Sequence, residues 1–144
     1  MNLNFLFSGL IQLYYLWEAL VLFSTFGVVL NSFYSIVSKK KINLFDIRIT
    51  TLTLVFNLLF FIIGIIIYLI NVLFFNIENE YLFEKDNNIF YLNEHLINLI
   101  SLIIIAIGWS LHKKSNIDQK IFLRFFIFYF FGLVILTAKH LYLN

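Results

Sequence analysis

Four stretches of twenty or so residues run almost without a charge, and no feature constrains the fold more. They lie at about residues 14–37, 49–75, 95–112 and 121–141. An apolar run of roughly 20 residues is what a helix needs to cross a hydrocarbon layer about 30 Å thick. The runs are continuous rather than alternating, so the period of a membrane β-barrel is absent. Within lipid every backbone N–H and C=O must be bonded inside the segment, and a helix achieves this. The chain is therefore expected to be an all-α integral membrane protein, with four transmembrane helices in a bundle and a single membrane domain over residues 1–144. Composition agrees, with 62% of residues hydrophobic and 12% charged, whereas soluble domains carry about a quarter charged.

The first apolar stretch begins at Leu3 and covers 35 residues, too long for one perpendicular crossing and too short for two. Residues 2–14 are accordingly expected to form an interfacial or extramembrane lead-in to the first helix. Nothing in "MNLNFLFSGL" resembles a cleaved signal peptide, since it lacks a basic start and a small-residue cleavage site.

Loop charges suggest an orientation. Residues 38–49 carry a net +3 from Lys39, Lys40, Lys41, Arg48 and Asp46, and residues 113–120 a net +2. The long acidic connection 76–94, with Glu78, Glu80, Glu84, Asp86 and Glu94 against Lys85, carries a net −4. The positive-inside rule puts the two basic loops in the cytoplasm or matrix. Both termini and the acidic loop then lie on the outer, intermembrane-space or periplasmic, side. Tyr14, Tyr15 and Trp17 would anchor one interface and Trp109 the other. The aromatics of the acidic connection suggest that it packs against its own bundle or a partner.

Depth along each helix places the ionisable groups near the two interfaces. Glu18 is 21 residues from Lys39, roughly 31 Å. Arg124 is four residues past Lys120, about 6 Å, within reach of the surface by snorkelling. Lys139 follows fifteen residues later, roughly 22 Å on. A Glu18–Lys139 pair between the first and last helices is expected at the outer surface, exposed to solvent and worth under about 1 kcal/mol. Proton relays and coupled transporters place such groups near the membrane centre, so a self-contained pump is disfavoured.

Small and polar residues recur every seven positions: Glu18, Thr25 and Ser32; Thr50, Asn57, Gly64 and Asn71; Glu94, Ser101 and Gly108. That spacing keeps each set on one stripe of a helix packed at a shallow angle. Such stripes serve helix–helix contact, where small residues let backbones approach; a pore or quinone pocket is the alternative use.

Candidate chemistry is sparse. With no cysteine, disulfides, thiolate metal sites and iron–sulfur clusters are excluded. Hydrolytic triads, phosphate-binding glycine loops and zinc spacings are missing, so no catalytic residue and no metal ligand is assigned. A formal charge of +2, divided among loops, does not suggest nucleic acid. His95 and His140 lie on different helices at similar depth, an arrangement a bis-histidine haem b would need. Ordinary interfacial imidazoles, bonded to headgroups or backbone, are the plainer reading, and His112 lies at the opposite end.

Two local resemblances overlap. "LRFFIFYFFGL", with Gly132 eight residues after Arg124, resembles the arginine helix of the ATP synthase proton-channel subunit; "FFGLVILTAKHLY" resembles a late helix of cytochrome c oxidase subunit three. They fall on the same twenty residues, and no residue role is carried over from either. Across the whole chain, 19 Phe, abundant Ile and Asn, no Pro and two Arg reflect AT-rich codons. In this style the chain resembles mitochondrially encoded respiratory-chain membrane subunits of AT-rich protists, ciliates especially. The resemblance implies a non-catalytic scaffolding subunit of a respiratory-chain complex in the mitochondrial inner membrane, with other membrane subunits and phospholipid as partners. Two alternatives stand beside it. One is a haem- or quinone-binding anchor like that of succinate dehydrogenase, using His95 and His140; the other is a small membrane transporter, with the bacterial plasma membrane as the alternative location.

Overall fold

The computed structural model describes residues 3–75 and 92–142, and these form four long antiparallel helices. Helix α1 spans Leu3–Val37 and α2 spans Leu44–Ile70, continued by one wide π-helical turn over Asn71–Phe75. Helix α3 spans Leu92–Leu111 and ends in a 3-10 turn at His112–Lys114, and α4 spans Asp118–Tyr142. Each helix packs against its neighbours in a closed ring, α1–α2, α2–α3, α3–α4 and α4–α1. Two short turns, α1–α2 and α3–α4, share one end of the bundle. The start of α1 and the end of α4 share the other, called here the terminal end.

Burial follows a spacing of three and four residues along every helix. In α2 the buried positions are Asp46, Thr50, Thr53, Asn57, Phe60, Gly64, Ile67 and Asn71. In α4 they include Phe122, Phe125, Tyr129, Gly132, Leu136 and Lys139. This is the seam of a left-handed bundle with knobs-into-holes packing. All members of the three seven-residue stripes are buried within it. At the closest approaches a side chain is excluded: a Cβ on Gly132 would fall 2.6 Å from Ile105 Cγ1. Ser101 Oγ donates to the Gly132 carbonyl there, at 2.9 Å.

The pattern is inside-out relative to a water-soluble bundle. On α1, Thr25, Ser32 and Ser35 are buried while Phe23, Phe26, Leu30 and Phe33 are exposed. An apolar exterior around a partly polar seam is stable in lipid, where Phe and Leu lose nothing by facing outward. All four helices are long and apolar enough to span a bilayer. The chain is thus an all-α, multi-pass integral membrane protein.

All four helices start earlier than the sequence expectation, α3 and α4 by three residues and the first two by more. α1 is continuous from Leu3, so the expected lead-in is part of the first helix. No proline interrupts it, and Phe7 and Tyr14 are buried against the Phe60 and Ile67 side of α2. α2 begins at Leu44, five residues early, because Asn43 and Asp46 form a capping box. Asn43 Oδ1 accepts from the Asp46 N–H at 2.9 Å, and Asp46 Oδ2 accepts from the Asn43 N–H at 3.1 Å, satisfying two end groups reciprocally. The chain enters this box through Lys39, whose φ of 51° lies in the left-handed region. Lys40 N–H bonds to Ser35 O at 3.1 Å and Lys39 N–H to Ile36 O at 3.3 Å, the paired bonds of a Schellman stop.

The helices differ in reach. From Tyr14 back to Leu3, α1 extends eleven residues, about 16 Å, beyond the level of Glu94 near the start of α3. α2 and its π-helical turn continue eleven residues past Gly64, which lies beside His95. An α1–α2 arm therefore stands past α3, with Leu13, Leu69 and Leu73 exposed on it.

Candidate functional site

The polar seam ends, at the terminal end, in a cluster of ionisable groups from three helices. Lys139 of α4 forms ion pairs with Glu18 of α1 and Glu94 of α3, the Glu94 Oε1 lying 3.2 Å from Nζ. Nζ also donates to Asn98 Oδ1 at 3.4 Å. Tyr14 OH donates to Glu94 Oε1 at 2.8 Å, and Asn98 Nδ2 donates back to Tyr14 OH at 3.1 Å. From α2 come the ring of Phe60, with the ammonium 4.9 Å from its centroid, and Gly64. A cation facing a ring gains about 0.5–2 kcal/mol, most when desolvated as here.

The expected Glu18–Lys139 pair thus forms, but it is not a solvent-exposed surface pair. Lys139 is 3% exposed, Glu18 7% and Glu94 6%. Glu18 and Lys139 meet at one level of the bundle as expected, and direction around the helix accounts for the difference in exposure. Lys139 lies seven residues after Gly132 and fourteen after Phe125, and all three are buried, so the lysine sits in the α4 seam. The cost of removing these charges from water is several kcal/mol per ion and must be offset within the cluster. Bonds from Tyr14 and Asn98, together with Phe60, supply part of that offset.

His95 is fully buried beside this cluster. Its ring stands edge-on to Tyr14, with centroids 6.3 Å apart, and to Tyr68, at 6.0 Å. Gly64 makes the space, since a Cβ there would lie 2.6 Å from His95 Nδ1 and 3.1 Å from the Tyr14 ring. The side chain of His140 and residues 76–91 of the acidic connection lie outside the described residues. Among the described residues, no three His, Cys, Asp or Glu side chains are placed to hold a metal ion.

A second polar cluster closes the short-turn end. Asp46, fully buried, accepts from Asn31 Nδ2 at 3.0 Å and from Lys40 Nζ at 2.9 and 3.1 Å. Gln119 of α4 donates to the Lys40 carbonyl at 3.3 Å, joining the two short turns. Arg124 donates to the Leu111 carbonyl at 2.5 Å, so it caps the C-terminal end of α3 where its charge complements the helix dipole. Among the described residues no carboxylate pairs with it. Trp109 Nε1 donates to Thr51 Oγ1 at 2.9 Å, while its ring carries Lys113 5.2 Å above it and its carbonyl bonds to His112. Lys39, Lys41, Arg48, Lys113, Lys114 and Lys120 are exposed around this end.

The sequence paired Glu18 with Lys139 and set Glu94 in a stripe of its own, yet it missed the role of Tyr14 and Asn98, which join them. A signal existed for both. Asn98 follows Glu94 by four residues, one turn on, and Tyr14 precedes Glu18 by the same interval. No protein-family model, curated protein or solved structure matches this chain.

Proposed function

We propose that the chain is a non-catalytic scaffolding subunit of a larger membrane complex, of the respiratory type, in the mitochondrial inner membrane. The observation that carries this reading is the α1–α2 arm. α3, at 20 residues, is about 30 Å long and matches a bilayer core with little tilt. The apolar span of α1 is 31 residues, about 46 Å, and would need a tilt of about 50° to fit, beyond the usual 0–40°. Since α1 and α3 belong to one bundle, seating α3 leaves the arm protruding, with apolar side chains that the described residues do not cover. Leu69 is 48% exposed and Leu73 71%. A neighbouring membrane subunit that covers the arm removes that surface from water. The organellar style of the sequence supports the location, and the basic short-turn end would face the matrix by the positive-inside rule.

The haem-anchor reading draws less support, because the His95 ring is enclosed by Gly64, Tyr14 and Tyr68. The proposal is tested by photo-crosslinking from Leu69 and Leu73 in native membranes, with Phe23 on the lipid-facing body as control. Arm positions crosslinking to respiratory-chain subunits support it. Crosslinks only to lipid or to copies of this chain overturn it.

A further inference from the structure

At the short-turn end, the groove between α2 and α3 is flanked by two cations held at one level. Trp109, near the end of α3, donates its Nε1–H to Thr51 Oγ1 of α2 at 2.9 Å, which ties the two helices together there. Each helix then presents a cation one turn further toward the same end. On α2 it is Arg48, three residues before Thr51; on α3 it is Lys113, four residues after Trp109. Lys113 Nζ stands 5.2 Å from the centroid of the Trp109 ring, which holds its charge over the groove. Both cations are exposed, and neither has a carboxylate partner among the described residues. In the opposite direction the groove is apolar, with Val55, Leu58 and Ile62 of α2 and Ile103 and Ile107 of α3 exposed along its sides. Trp109 marks the depth. Indole rings collect at the headgroup boundary of a bilayer, and α3, about 30 Å long, ends two residues later. The cations therefore stand among headgroups and the apolar sides among acyl chains. The surrounding charge has one sign: Lys39, Lys41, Lys114 and Lys120 are exposed at this end too. Asp46 is buried against Lys40, so Asp118 is the one described carboxylate left to oppose them.

We propose that this groove binds a phospholipid of net negative charge, its phosphate between Arg48 and Lys113 and its acyl chains along the apolar sides. A guanidinium and an ammonium suit a phosphodiester, the first through paired N–H donors and the second as a point charge. The excess of cations selects against a zwitterionic lipid, whose own positive headgroup would be brought among them. The site requires no neighbouring subunit, so it stands or falls separately from the scaffolding reading.

The experiment uses the full chain with Trp17→Phe, which leaves Trp109 as its one tryptophan, in phosphatidylcholine vesicles. Part of the lipid is replaced by phosphatidylglycerol brominated on its acyl chains, or by phosphatidylcholine brominated in the same way. Bromine quenches indole fluorescence on contact. The expected result is stronger quenching by the brominated phosphatidylglycerol. Arg48→Gln and Lys113→Gln each cut that preference about fivefold, the worth of one cation near an anionic headgroup. Lys120→Gln, on α4 across the ring from α2, leaves the preference in place, as does added inorganic phosphate. Native mass spectrometry, counting retained phosphatidylglycerol against phosphatidylcholine, reads the same preference and its loss in the two variants without touching Trp17. Equal quenching and equal retention of the two lipids overturn the proposal. So does a preference that Lys120→Gln lowers as much as Arg48→Gln and Lys113→Gln do, the mark of a diffuse basic surface. A preference abolished by inorganic phosphate overturns it as well, since the site would then hold a free anion.

Discussion

Replacing Lys139 by methionine keeps most of the side chain's length and removes its charge. Glu18 and Glu94 then remain 7% and 6% exposed and lose the ammonium they share, while Tyr14 still donates to Glu94. Breaking a buried ion pair by deleting one partner costs about 3–5 kcal/mol, because the surviving charge is left uncompensated. Here two are left, so the upper part of that range is expected, or a loosening of α4 from α1 and α3. Glu18→Gln has the opposite character: it leaves a one-to-one pair of Lys139 with Glu94, and a change within about 1 kcal/mol is expected. The triple variant Glu18→Gln, Glu94→Gln, Lys139→Met contains none of these three buried charges and should recover most of what Lys139→Met loses. Reversible unfolding in mixed micelles, followed by circular dichroism, gives all three values. If Lys139→Met falls within about 1 kcal/mol of wild type, or the triple variant is no better than the single, the charges are not buried against one another and the account of the site fails.

Three further outcomes follow from the packing. Gly64→Ala places a methyl group against His95 and Tyr14, and overpacking of this kind should destabilise the same unfolding transition by about 1–3 kcal/mol. Asp46→Ala removes the capping box and leaves Asn31 and Lys40 without their shared acceptor; a loss of about 1–3 kcal/mol is expected, with hydrogen exchange accelerated in the first turn of α2. Ser101→Ala deletes the bond to the Gly132 carbonyl, and within a membrane bundle such a bond averages about 0.6 kcal/mol, so the predicted effect on stability is small.

How much of this was legible beforehand differs from element to element. The four helices could be read because lipid demands long uninterrupted apolar runs, and the polar half of each seam because Thr25, Asn57 and Ser101 stand out against Phe and Ile. The other half of the seam, Tyr14, Val21 and Val28 on α1 or Phe122, Tyr129 and Leu136 on α4, is apolar like the lipid-facing surface. Hydropathy cannot tell those two faces apart. Asp46 was counted among loop charges because only its partners Asn31, Lys40 and Asn43, brought together by the turn, make a buried carboxylate at a helix start stable. For Lys139 the depth was legible and the direction was not taken from its seven-residue step after Gly132. Arg124 was expected to reach the surface by snorkelling; its bond to the Leu111 carbonyl places it at the end of α3.

The scaffolding account rests on the apolar arm being covered by another membrane protein. Native mass spectrometry of the chain released from its own membrane in a mild detergent tests this most directly. The account predicts that the chain emerges bound to respiratory-chain membrane subunits with retained phospholipid, and that charged substitutions at Leu69 and Leu73 dissociate it. A stable, monodisperse monomer carrying lipid alone, unchanged by those substitutions, would contradict it.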